Sequence, residues 1–108
     1  MSEPLSPLER ELFRLTAKRN WPGFRMDGLG VTKRENTGVG RYVYLEDAHR
    51  QPLTDGDYSA SNMLIEMEGI HNGMGWVVNV SDGQLGYIEM FTFGDDSWDG
   101  VERPWQIA

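Results

Sequence analysis

Hydrophobic and polar positions follow two periods along the chain, a helical one near the N-terminus and a two-residue one through the C-terminal half. Leu8, Leu12 and Leu15 recur at i, i+4 and i+7 with Phe13 beside them, while Arg10, Glu11, Arg14 and Lys18 fill the opposite side. Ser6-Pro7-Leu8-Glu9 supplies a start: Ser6 caps free amides, Pro7 suits the first helical position and Glu9 reaches back to close a capping box. Asn20 followed by Trp21-Pro22-Gly23 supplies a stop. The spacing predicts a helix over residues 7–19 with one face turned to a sheet.

Glycines and scattered charge interrupt any period over residues 24–40, where Phe24, Met26 and Leu29-Gly30-Val31 suggest only a short edge strand. Arg41-Tyr42-Val43-Tyr44-Leu45 has the β-branched and aromatic content of a strand. Residues 47–59, with Pro52 and Asp55-Gly56, read as a loop or a pair of turns. Three alternating runs follow. Met63, Ile65 and Met67 alternate with Leu64, Glu66 and Glu68; Met74, Trp76, Val78 and Val80 alternate with Gly75, Val77 and Asn79. After Ser81-Asp82-Gly83-Gln84 the alternation resumes, with Leu85, Tyr87, Glu89, Phe91 and Phe93 against Gly86, Ile88, Met90 and Thr92. Asp-Gly between two such runs predicts a tight hairpin from Trp76 to Phe93.

One helix followed by several strands, without βαβ alternation, predicts a single α+β domain over residues 1–108. In it the N-terminal helix packs on one face of an antiparallel meander of about four to five strands. The other face of the sheet is then left to solvent or to a partner. The turn-rich tail, residues 94–108, keeps Trp98 and Trp105 and is expected to pack back on the domain.

Charge changes this picture more than composition does. The 108 residues hold 10 Lys+Arg and 17 Asp+Glu, a net charge of −7, with no cysteine. Residues 1–50 carry 9 basic and 7 acidic side chains, and residues 51–108 carry 1 and 10, the one being Arg103. An acidic half repels phosphate backbones and favours basic partners, which argues against nucleic-acid binding. Carboxylates also keep a small domain soluble, and the asymmetry alone does not separate the two readings. Missing cysteine excludes disulfides and thiolate chemistry. No apolar run approaches the roughly 20 residues that span a bilayer, and MSEPLSPLERE lacks the order of a signal peptide, so a cytoplasmic protein is expected.

Catalytic constellations are sparse. His49 and His71 are the two histidines, no serine lies in a Gly-x-Ser-x-Gly elbow, and the half containing His71 has only Arg103 as a cation to hold a phosphate. Gly28-Leu29-Gly30 and Gly38-Val39-Gly40 do not complete a nucleotide-binding loop. No enzymatic activity and no cofactor is expected. Asp95-Asp96-Ser97-Trp98-Asp99-Gly100 reproduces the opening half of an EF-hand loop, but Gln106 stands where the bidentate carboxylate belongs. A second partial match starts at Asp55 and Asp57 and ends on Glu66. A small ligand- or calcium-binding module is therefore the alternative reading, with an acidic turn that holds no metal as its plainer form. Tyr87, Phe91, Phe93, Trp98 and Trp105 cluster in sequence around Glu89, Asp95, Asp96 and Asp99, and aromatic anchors bordered by charge suit a protein interface. Phe91 and Phe93 are expected in the core, and Trp98 is expected to make contact with a partner.

Gly73-Met74-Gly75-Trp76-Val77-Val78-Asn79-Val80-Ser81-Asp82-Gly83-Gln84-Leu85, continued by Ile88-Glu89-Met90-Phe91-Thr92-Phe93-Gly94, resembles a hairpin of small immunity proteins from bacterial polymorphic and contact-dependent toxin systems. The resemblance covers residues 73–94. It implies a non-catalytic cytosolic inhibitor that binds a cognate toxin domain, often a nuclease with a basic cleft. On that reading Asp95, Asp96, Trp98 and Asp99, with Glu66, Glu68 and Glu89 on strands, are the candidate contacts, since carboxylates can occupy the place of phosphates.

Overall fold

In the computed structural model, which describes residues 2–108, the first helix begins at the cap its sequence supplies. Helix α1 spans Pro7–Asn20. The Glu9 amide donates to Ser6 Oγ at 3.1 Å, and the Ser6 amide donates to Glu9 Oε1 at 2.8 Å, which closes the capping box. At the other end the Trp21 amide donates to the Ala17 carbonyl, and Gly23 turns the chain at φ +84°. Leu8, Leu12, Phe13, Thr16 and Ala17 form the buried face, and Leu15 lies at its margin. Thr16 holds a core position because its hydroxyl is satisfied twice: it donates to the Leu12 carbonyl at 2.8 Å and accepts from Trp76 Nε1 at 3.0 Å.

Seven strands follow: β1 Leu29–Asn36, β2 Gly40–Asp47, β3 Gly56–Tyr58, β4 Ile65–Met67, β5 Met74–Ser81, β6 Gln84–Thr92 and β7 Trp105–Ile107. They form one antiparallel sheet in the order β1-β2-β6-β5-β4-β7, with β3 pairing the outer edge of β5 beyond β4. The α+β class stands, while the strand number exceeds the expected four to five. β3 and β7 are three residues each, and their pairing comes from distant partners: Asp57 lies opposite Asn79, and Glu66 opposite Gln106.

β1 is the larger departure. Eight residues pair with β2 from Leu29↔Asp47 to Asn36↔Arg41, with a bulge between Val31 and Lys33. The run Thr32-Lys33-Arg34-Glu35-Asn36 hides this strand because its inward position after the bulge belongs to Arg34, opposite Val43, rather than to a hydrophobe. Arg34 donates to both oxygens of Glu9, from Nε at 2.8 Å and from Nη2 at 2.7 Å. Glu9 is fully buried and also lies 3.2 Å from Arg41 Nη2, which in turn pairs with Glu102. This network of charges replaces apolar packing where α1 begins and ties the helix to β1, β2 and the tail.

The hairpin forms at its expected turn, but a bulge between Asn79 and Val80 shifts the register beyond it, pairing Val80 with Leu85 and Asn79 with Tyr87. Ser81 faces Gln84, and Asp82 and Gly83 occupy the turn at φ +54° and +74°, both left-handed, as a type I′ turn requires. Met74, Trp76, Val78 and Val80 are all buried, and across from them Ile88 and Met90 fill the core positions of β6. Phe91 and Phe93 therefore lie on the opposite face, Phe93 being 41% exposed, which corrects their assignment to the core. Met63, expected on the apolar side of its strand, precedes β4 and is 44% exposed. The tail packs back as anticipated, its ladder extended by reciprocal backbone bonds between Leu64 and Ala108. Among the described residues no helix is long and apolar enough to cross a membrane.

Candidate functional site

Helix α1 covers only one face of the sheet, so side chains that alternate with the core positions stand on an open face. Register places them in rows. Lys33, Tyr44, Tyr87, Asn79 and Asp57 run across β1, β2, β6, β5 and β3, and Glu35, Tyr42, Glu89 and Val77 form the next row. Phe91 follows, paired with Gly40 on one side and Gly75 on the other. Glu66 on β4 alternates with the buried Ile65 and Met67 and so faces the same way.

The aromatic side chains on this face touch one another. Tyr87 meets Tyr42 edge-on at 5.2 Å between ring centres and Tyr44 at 5.9 Å, while Tyr42 and Tyr44 stack at 6.2 Å. Phe91 and Phe93 meet at 5.7 Å and 89°. Gly75 makes room for that pair: a Cβ there would lie 2.8 Å from the Phe91 ring and 2.9 Å from Phe93. Tyr42 Oη donates to Glu89 Oε2 at 3.3 Å. The Glu89 charge raises the pKa of Tyr42; burial, with Asp57, Glu89 and Tyr44 nearby, raises that of Tyr87. Both phenols thus stay protonated at neutral pH and keep their donors. Lys33 Nζ lies 5.7 Å from the Tyr44 ring centre and 3.2 Å from Glu35, a cation already placed over this surface.

The residues expected to bind a partner do not share one surface. Glu89 and Glu66 belong to the open face, where Gln106 Nε2 donates to Glu66 at 2.6 Å. Glu66 and Glu68 also border an open groove of about 560 Å³ lined by His71, Asn72, Trp105 and Gln106. Asp96 accepts the Asn72 amide at 2.7 Å, and Asp95 is exposed beside it in the loop after β6. Asp99 accepts from the Val101 amide and from Arg103 at 2.9 and 2.8 Å, and the Arg103 guanidinium holds its carboxyl well below the usual carboxylate range. Trp98 is a correction: it is 2% exposed, its Nε1 donates to the Val101 carbonyl and Arg41 stacks 5.0 Å from its ring centre. The buried Arg41 side chain needs a polarisable neighbour, so Trp98 is drawn inside rather than presented to a partner.

The calcium reading finds no assembled ligand set. No three of Asp, Glu or His converge among the described residues. Asp99 caps the Val101 amide of its own turn, Asp96 caps the Asn72 amide of the neighbouring loop, and Asp55, in the second partial match, accepts the Gly83 amide at 2.7 Å. His49 pairs with Asp27 at 3.1 Å near the end of β2, and His71 is exposed between β4 and β5, so the two stand on separate loops.

Six of the ten Lys and Arg side chains are spent internally. Arg14, Arg25, Lys33, Arg34, Arg41 and Arg103 all pair with carboxylates. Asp57, Glu66, Glu68, Glu89, Asp95 and Asp96 have no ion-pair partner among the described residues. Tyr42 and Tyr44 lie outside the sequence candidates for the site; the signal for them is their alternation with the inward Arg41, Val43 and Leu45. Comparison with protein-family models, with curated proteins and with solved structures found no match to this chain.

Proposed function

We propose that this chain is a non-catalytic inhibitor of the immunity type, which binds a basic cognate toxin domain in the cytosol and neutralises it. The observation that supports this most is the separation of charge: the cations without a carboxylate partner, Arg10, Lys18, Arg19 and Arg50, all lie in residues 1–50, while the carboxylates from β3 to the Asp95-Asp96 loop have no ion-pair partner among the described residues. A nuclease cleft built for phosphates attracts such a surface, and the fields of the two proteins speed their encounter. The resemblance of residues 73–94 to immunity-protein hairpins points the same way.

Co-expression with the polypeptide encoded by the neighbouring gene tests the reading. The expected result is restored growth where that polypeptide is toxic, with a purified complex whose association slows steeply as salt is raised. A toxic neighbour that remains toxic and does not co-purify with this chain would overturn it.

A further inference from the structure

Resting on the basic-partner reading, we infer that the docking surface is the open sheet face and that it takes an arginine of the partner protein, laid over Tyr42 and Tyr87 with its guanidinium fork on Glu89. Asp95, Asp96 and Asp99, by contrast, lie in turns where Asp96 and Asp99 are occupied by the chain's own donors. The sheet face differs in three respects. It is uncovered and carries touching aromatic rings, the residue types that dominate interface energetics. Its central carboxylate, Glu89, has no cationic partner, and only its Oε2 is engaged, by the Tyr42 hydroxyl. Finally, Lys33 over Tyr44 shows that a cation fits against these rings with a carboxylate alongside.

Arginine suits this geometry better than lysine. Its planar guanidinium stacks on a ring face while presenting parallel N–H groups to a carboxylate, and it sheds water more readily than an ammonium. A nucleic-acid strand could stack its bases on the same rings, but Glu89, Asp57 and Glu66 repel phosphate, and Lys33 is already paired with Glu35.

The test is titration of the full-length, ¹⁵N-labelled chain with nona-arginine, nona-lysine and single-stranded oligothymidine at low salt, followed by amide chemical shifts. Nona-arginine is expected to shift Tyr42, Tyr44, Val77, Tyr87 and Glu89, and to bind more tightly than nona-lysine. Tyr42→Ser and Glu89→Gln are each expected to weaken it about two- to fivefold, the scale of an exposed cation–π contact. Both positions are surface-facing, and an unchanged pattern of remaining amide shifts shows that the variants are folded. Shifts confined to residues 68–73 and 94–99 would overturn the docking surface and leave the basic-partner reading standing. No binding of either cationic peptide would remove both. Face shifts with oligothymidine, or concentration-dependent face shifts without peptide, would assign the face to nucleic acid or to a second copy and overturn the inference.

Discussion

Replacing Glu9 by glutamine isolates the charge at the centre of the buried network while keeping the side chain's shape. Glu9 is 0% exposed and receives Arg34 Nε, Arg34 Nη2 and the Ser6 amide at 2.7–2.8 Å, with Arg41 Nη2 at 3.2 Å. The neutral variant leaves two guanidinium groups facing an amide. Arg34 loses the charge that receives both of its hydrogen bonds to Glu9, and Arg41, whose side chain is 7% exposed, loses one of its two carboxylate neighbours. Arg34 is 28% exposed and keeps Glu3, and Arg41 keeps Glu102. The expected cost is therefore about 3 kcal/mol, the low end of the ~3–5 kcal/mol for removing one partner of a buried pair. For a domain of this size that corresponds to a fall in Tm of roughly 12–24 °C. Urea unfolding at pH 7 followed by far-UV circular dichroism measures it, and a loss below about 1 kcal/mol would refute the reasoning.

Acid titration provides a second arm with a defined sign. Burial raises the Glu9 pKa, but the hydrogen bonds from Arg34 and the Ser6 amide, with the Arg41 charge, outweigh it and hold the folded value below the ordinary one. The native state then binds fewer protons than the unfolded chain, so this stabilisation is complete above about pH 4.3 and is lost as the pH falls through the lower folded value. The gap in stability between wild type and Glu9→Gln should narrow over that interval.

Three further substitutions probe the layers around the sheet. Thr16→Val leaves the buried Trp76 Nε1 without its acceptor at 3.0 Å and should cost about 1–3 kcal/mol in urea unfolding. Gly40 and Gly75 separate rigid from yielding contacts: an alanine Cβ at Gly40 runs into the Met90 carbonyl of the paired strand, whereas at Gly75 it meets the Phe91 and Phe93 rings, which can turn outward. Gly40→Ala should therefore cost about 3 kcal/mol or more and Gly75→Ala nearer 1 kcal/mol. Equal losses by thermal melting would show that the phenylalanines are held as firmly as backbone.

The local elements were legible because neighbouring residues determine them. Ser6 and Glu9 close a cap within one turn, Asp82-Gly83 sets a hairpin within two residues, and the Met74–Val80 alternation marks one buried side of a strand. Of the candidate surface, Glu89, Tyr87 and Phe91 stood out in sequence, but Phe91 was given to the core because alternation divides a strand into two sides without saying which one the helix covers. The packing of α1 against Trp76 chose the inner side of β5, and the bulge between Asn79 and Val80 brought Ile88 and Met90, rather than Tyr87 and Phe91, onto that side of β6. Tertiary structure also decided what no period encodes. β1 emerged from a polar run because Arg34 satisfies a glutamate 25 residues away, β3 and β7 exist through distant ladder partners, and Trp98 is buried because Arg41 requires it. Caps, turns and periods are short-range and readable in order along the chain, whereas burial and charge compensation join residues that meet only when the sheet closes.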